Sequence, residues 1–200
     1  MIPEFKAFPK IARLSRLVCV TEKIDGSNAS IYIDAEGTFL TGSRNRWITP
    51  EDDNYGFSRW AHSHKDELMK LGPGHHFGEW WGSGVQRGYG LINGDKRFSL
   101  FNTVRWCLAG TEPKTLPTQD PRVTKTQEVL PSCVGLVPVL WEGNFDDLDA
   151  DLIVARLALD GSKAVPGYTS PEGIVVFHTA AMTAFKKTID RDSEPKGKQS

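Results

Sequence analysis

Three short apolar runs stand so close together near the start of the chain that no helix fits between them: LVCVTEKI at 17–24, NASIYI at 28–33 and TFLTG at 38–42. Each has the length and the β-branched or aromatic content of a strand, and Gly-containing breaks separate them. The spacing therefore predicts an antiparallel meander rather than a βαβ unit. Further strands are expected at 75–81 (HHFGEWW), 97–103 (RFSLFNT), 134–141 (VGLVPVLW), 172–177 (EGIVVF) and about 182–188. Two helices interrupt them. In 54–71, Phe57, Trp60, Ala61, Leu68 and Leu71 keep helical spacing, acidic residues precede the run, and Gly72-Pro73 ends it. A second helix is expected near 146–160, with Leu148, Leu152, Ala155 and Leu159 on one face. Mostly strands with two inserted helices, this order predicts an α+β fold with antiparallel sheets.

The connections are polar. A glycine-rich loop, SGVQRGYGLINGDK, joins the 75–81 and 97–103 strands, and residues 112–126, with three prolines, read as a mobile surface loop. The end of the chain, RDSEPKGKQS, reads as a frayed polar tail from 191 to 200 after a single domain over 1–190. Two hundred residues at 39% hydrophobic and 24% charged suit one globular unit. Neither a signal peptide nor eighteen consecutive apolar residues is found, so a cytoplasmic protein without membrane contact is expected, most simply a monomer. Cys19, Cys107 and Cys133 are odd in number and far apart, which argues against a disulfide framework or a cysteine zinc site. A net charge of −1 excludes a broadly basic coat but not a local phosphate-binding groove.

Within TEKIDGSNASIYI, Lys23 sits in a β-patterned run two residues before Asp25-Gly26. Alone, such a lysine is a solvated charge that discourages edge pairing. It does not stand alone. Downstream lie GSRNR at 42–46, FGEWWG at 77–82, LFNTVRW at 100–106, PEGIVVF at 171–177 and AFKKT at 184–188. With these five stretches, in order and over residues 18–190, the chain resembles the covalent nucleotidyltransferase superfamily of polynucleotide ligases and capping enzymes. Within it, the chain is most similar to the ATP-dependent RNA ligases. That resemblance implies the nucleotidyltransferase, ATP-grasp-like ligase core as the fold.

The chemistry also follows from first principles. Joining a 5′-phosphate to a 3′-hydroxyl requires an activated phosphate, and one route parks AMP on a side-chain nucleophile. An amine attacking the α-phosphorus of ATP expels pyrophosphate and leaves a phosphoramidate. An unperturbed lysine is neutral in only roughly one molecule in two thousand at pH 7, so such a site must favour the free amine. Carboxylates near Lys23 act the other way unless a metal neutralises them, so Glu79 and Glu172 imply Mg²⁺ or Mn²⁺.

By resemblance, Lys23 receives AMP, with Glu22 and Ile24 beside it among the nucleotide-binding residues. Asp25 and Gly26 complete the turn, the glycine supplying a backbone geometry that other residues resist, and Asn28 lies near the phosphates. Arg44 contacts ribose or phosphate, with Arg46 second to it, and Glu79 holds the ribose hydroxyls. Phe101 stacks on adenine, Glu172 binds the metal, and Lys186 or Lys187 meets the α-phosphate. The family spaces its two late lysines one residue apart, whereas FKKTID has them adjacent. Neighbours on a strand face opposite ways, so both cannot enter one pocket; the resemblance favours Lys186, because it then leaves Thr188 in the second slot. His75 and His76 alternate faces, and His62 and His64 share no helix face, so zinc is not expected.

DNA ligases and capping enzymes carry a C-terminal OB domain, and many RNA ligases another RNA-gripping domain. Neither is expected in these 200 residues. The expected activity is sealing of RNA 5′-phosphate and 3′-OH ends with ATP, with Arg87, Arg97 and Arg105 available to the RNA backbone. The alternatives are a DNA ligase core, a 5′-adenylyltransferase that needs a partner, and a non-catalytic RNA-binding module.

Overall fold

The computed structural model describes residues 3–117 and 123–190. The chain opens with β1 (Leu17–Lys23), β2 (Ser27–Ile33), β3 (Phe39–Ser43) and β4 (Trp47–Ile48), then α1 (Phe57–Ser63) and α2 (Lys65–Leu68). There follow β5 (Gly74–Gly82), β6 (Lys96–Leu100), β7 (Trp106–Cys107), β8 (Thr115–Pro117), β9 (Thr124–Thr126) and β10 (Glu128–Val129). It closes with β11 (Gly135–Leu136), β12 (Val139–Asn144), α3 (Ala150–Asp160), β13 (Gly173–His178) and β14 (Thr183–Thr188).

Two sheets carry the architecture. One runs β12-β1-β13-β14, antiparallel throughout. The other runs β11-β6-β5-β2-β3-β4 and is antiparallel except where β11 lies beside β6. Alternation along β2 sends Ala29, Ile31 and Ile33 inward with Phe39, Ile48, Trp80, Phe98 and Leu100, where they meet Phe57, Ala61, Leu68 and Leu71 from the helical segment. A second core packs Val18, Val20, Ile174 and Val176 beneath Leu157 of α3. Ile24, Trp81, Tyr89 and Val137 form a third, where Trp81 of β5 meets residues of the connections, Ile24 among them at the crossing between the two sheets.

The α+β class and the mainly antiparallel sheets agree with expectation, but four local expectations do not. The first three strands are not a meander: β2 and β3 form a hairpin, while β1 joins the other sheet. Residues 18–22 are all buried, so β1 has no solvent face of the kind a hairpin edge shows. The helix expected over 54–71 is broken at His64, whose φ of −112° leaves the helix and whose ring Nδ1 donates to the Trp60 carbonyl at 2.8 Å. A single strand over 134–141 is interrupted at Pro138, which has no N–H to donate, and its halves enter different sheets. The presumed loop over 112–126 contains the hairpin β8–β9. The tail from 191 to 200 lies outside the described residues.

The second helix shows how a face is chosen. Asp149 caps α3 by accepting from the Leu152 N–H at 2.9 Å, and Gly161, at φ 82°, ends it. Its buried stripe is Ala150, Ile153, Val154 and Leu157, whereas Leu152 and Leu159 of the expected face are exposed. No helix among the described residues is long and apolar enough to cross a membrane.

Truncating Leu157 to Ala should therefore destabilise the fold by about 2–4 kcal/mol, while Leu159→Ala should stay within about 0.5 kcal/mol of the parent. Urea unfolding of both variants checks this, and equal losses would contradict the assigned face.

Candidate active site

The site begins where β1 ends. Lys23 is the last residue of β1 and pairs in register with Gly173, so the strand pairing itself sets Glu172 beside it. The Lys23 ammonium donates to Glu172 Oε2 in a largely buried ion pair. Tyr89, wholly buried, donates its hydroxyl to the Lys23 carbonyl at 3.3 Å and accepts the Asp25 N–H at 3.2 Å. That one hydroxyl holds both peptide groups flanking Ile24, just after the lysine.

Gly26 then passes directly over β5. A Cβ there would lie 2.5 Å from the Trp80 carbonyl and 2.8 Å from Trp81 Cβ. The requirement is space rather than an unusual backbone angle, since Gly26 is absent from the positive-φ positions. This corrects the expectation that the turn needs glycine for its conformation. The Gly26 N–H donates to Glu79 Oε1 at 3.1 Å, so the same close passage brings Glu79 to the lysine. Arg87 pairs with Asp25 at 3.1 Å and donates to the Ser170 carbonyl at 3.0 Å, tying the crossing to the segment before Glu172.

Electrostatically the site is strained in one direction. Burial pushes the Glu79 carboxyl up to about 7, against the pull of Lys23 and the Gly26 N–H, and the Glu172 and Asp25 carboxylates add to the rise. A carboxyl raised by burial and by like charges is suited to a neighbouring cation or a hydroxyl donor. Among the described residues no group of three or more His, Cys, Asp or Glu side chains could cage a metal. The donor set still fits Mg²⁺ or Mn²⁺ in the manner of phosphate-transfer sites, where one or two carboxylates share the ion with phosphate and water. Glu172 is the carboxylate that would hold it, with Glu79 nearby.

The other expected residues divide. Asn28 is opposite Glu79 in register and so shares its sheet face, as does Phe101, which is 40% exposed and donates its N–H to the Phe77 carbonyl. Arg44 is exposed immediately after β3, whereas Arg46 is held by Asp52. Lys186 pairs with Val175, and Thr21 is the residue of β1 opposite Val175, so Lys186 shares the face of Lys23. Lys187 turns to the opposite face and pairs with Asp151 of α3 at 2.9 Å, so the structure does not bring it to the site.

Glu22 is a correction as well. Its side chain leaves the site face and accepts from Ser162 Oγ at 2.6 Å and from the N–H groups of Lys163 and Ala164 at 2.8 and 3.0 Å. Being 1% exposed, it anchors the 162–164 segment rather than offering a ligand. Ile24 is buried in the core between the sheets. The three arginines expected to meet RNA are engaged within the chain: Arg87 as above, Arg97 with Asp95 and Arg105 with Glu128. Tyr89 is the residue that sequence reasoning missed. Its only signal is an aromatic between two glycines in RGYG, a pattern that reads as a plain connector.

Glu79 gives a pH test. The unfolded carboxyl titrates near its ordinary 4.5 and the folded one at about 7, so between those values the folded chain carries the extra proton. Its contribution to stability therefore falls as pH rises through that window. Glu79→Gln keeps an acceptor for Gly26 and removes the charge. It should raise stability at pH 8 by on the order of 1–2 kcal/mol and change little at pH 4.5. Thermal or urea unfolding at the two pH values checks this, and a loss at pH 8 would contradict it.

Comparison with known proteins adds an independent line. The family model described as RNA ligase matches residues 16–191. No curated protein matches the chain. Among solved structures, a glutamate-to-alanine mutant of Naegleria gruberi RNA ligase with ATP and Mn is similar at TM-score 0.59 and 19% identity, covering 88% of this chain and 51% of that one. The same ligase with PPi is similar at TM-score 0.54 and 19% identity, over 94% and 57%. A lysine-to-methionine mutant with AMP and Mn is similar at TM-score 0.53 and 20% identity, over 88% and 50%. At these identities the likeness is one of fold, and this chain spans about half the length of the structures it matches. Because the family match runs from the start of the first sheet past the last strand, the chain belongs to the RNA ligase family.

Proposed function

We propose that this chain is an ATP-dependent RNA ligase whose Lys23 becomes the lysyl-AMP. The observation that carries the reading is the meeting of Lys23 and Glu172 at the ends of paired strands, with Glu79 brought over them by the Gly26 crossing. In the first step the Lys23 amine, having lost its proton, attacks the α-phosphorus of ATP. A P–N bond forms, the P–O bond to pyrophosphate breaks, and pyrophosphate leaves. AMP then passes to the 5′-phosphate of RNA, returning the amine, and a 3′-hydroxyl displaces AMP to form the phosphodiester.

The residues take these parts. Glu79 accepts from the ribose hydroxyls, and Phe101 offers its half-exposed ring to adenine. Asn28 and Arg44 border the phosphates, and Lys186 stabilises charge growing on the α-phosphate. The ion pair with Glu172 occupies the amine that must attack. A divalent cation would be held by Glu172, and would supply positive charge to offset that of the carboxylates and the nucleotide phosphates. The ATP, AMP and Mn in the solved relatives support the choice of nucleotide and metal. Cys19, Cys107 and Cys133 are free thiols, which suits a reducing compartment; a cytoplasmic monomer that repairs RNA completes the proposal.

Incubation with α-labelled ATP and Mg²⁺, followed by denaturation, should leave label on the wild type and none on Lys23→Ala. The label should survive alkali and be lost in acid, as a phosphoramidate's is. An unlabelled wild type would overturn the reading, and label that persists in Lys23→Ala would move the nucleophile elsewhere.

A further inference from the structure

The face of the six-stranded sheet that carries Glu79 and Asn28 does not end at the nucleotide site. Two residues further along β5 and β2 stand Phe77 and Ser30, and the rung continues through Gly42 of β3 to Trp47 of β4. Trp47 and Phe77 are 51% and 49% exposed, a large apolar area for a sheet surface to leave in water. Their rings are ordered. His75 lies between them, stacked on Trp47 at 5.6 Å and 18° and on Phe77 at 4.1 Å and 25°. Tyr32 packs edge-on against His75 at 5.8 Å.

Small residues beneath hold the row in place. His75 Nε2 is 3.1 Å from Ser30 Oγ, and a Cβ on Gly42 would lie 2.7 Å from that same oxygen and 3.3 Å from the Trp47 ring. The absence of that Cβ lets the indole lie down on the sheet. The result is three stacked rings over a floor of glycine and serine, fixed before any ligand arrives. It lies on an open sheet face, and the half-exposed rings of Trp47 and Phe77 at the two ends of the stack suit nucleobases, which stack on aromatics whatever their sequence.

Position and charge choose the occupant. Two residues along a strand is about 7 Å, close to the reach of one nucleotide, so a strand with its terminal phosphate at Lys23 brings its next bases over Phe77, His75 and Trp47. Exposed Arg44, the residue after β3, adds a positive charge close to this face that a phosphate backbone can use. We infer that the Trp47–His75–Phe77 row is a stacking platform for the bases of the RNA strand whose end is joined at the adjacent lysine. The inference rests on the ligase reading for the identity of that strand, and extends it by placing the strand on this face.

The test measures two things separately. Binding of a fluorescent 5′-phosphorylated single-stranded RNA to the full chain reports the platform, and labelling of Lys23 by ATP, which needs no RNA, reports the nucleotide site and the fold. Trp47→Ala should weaken RNA binding roughly tenfold while Lys23 labelling stays within about twofold, and Phe77→Ala should weaken binding by a similar factor. Trp47→Phe should restore affinity to within about threefold of wild type. RNA with abasic residues next to its end should bind wild type and Trp47→Ala alike. Unchanged affinity in both alanine variants, or no RNA binding by wild type, would overturn the platform and leave the face to a protein partner or another part of a longer chain. A wild type that takes no label but loses RNA affinity on Trp47→Ala would sink the ligase reading and keep the platform.

Discussion

Three residues, Ile24 to Gly26, carry the chain out of one sheet and into the other, and the arrangement of everything else around the site depends on how tightly that crossing is made. Because Gly26 has no side chain, β2 can start against the backbone of β5, with the Trp80 carbonyl where a Cβ would stand. Lys23 is left at the end of β1, and Glu79 is drawn to within hydrogen-bond reach of the Gly26 N–H. Buried polar groups lock this geometry: Tyr89 binds both peptides flanking Ile24, and Glu22 bonds three donors of the 162–164 segment. Buried polar groups so fully partnered are costly to disturb, and this makes the lysine's position a property of the fold.

The same crossing gathers more negative charge than positive. Asp25, Glu79 and Glu172 face Lys23 and Arg87, and the Glu79 carboxyl rises to about 7 chiefly because burial disfavours its charge. A triphosphate entering such a site needs added positive charge, and the carboxylate that holds the lysine is also the one placed to take up a divalent cation. The stability given up by burying these carboxylates is of the kind that functional sites commonly concede.

The β2–β3 hairpin and the two late strands were legible because local alternation and short spacings report them directly, whereas the β8–β9 hairpin was hidden in a proline-rich polar stretch. Strand partnership was not: β1 carries the same apolar run whether it pairs with β2 or leaves for another sheet, and only its burial on both faces tells these apart. In α3 two apolar stripes overlap, and docking against β13 selects Leu157 over Leu159. Strand alternation said only that Lys186 and Lys187 face opposite ways, and the family's spacing favoured Lys186; the register places it on the face of Lys23. Glu22, Tyr89 and the row of Trp47, His75 and Phe77 gain their meaning from residues distant in sequence, so no local pattern marks them.

The central claim is that Lys23 exchanges its carboxylate partner for the α-phosphate when nucleotide and metal arrive together. A crystal structure with Mn²⁺ and a non-cleavable ATP analogue tests this directly. The account predicts an anomalous peak on the Glu172 carboxylate and Lys23 Nζ within ~3.5 Å of the α-phosphorus. Nucleotide bound away from Lys23, with the ion pair to Glu172 intact, would contradict it.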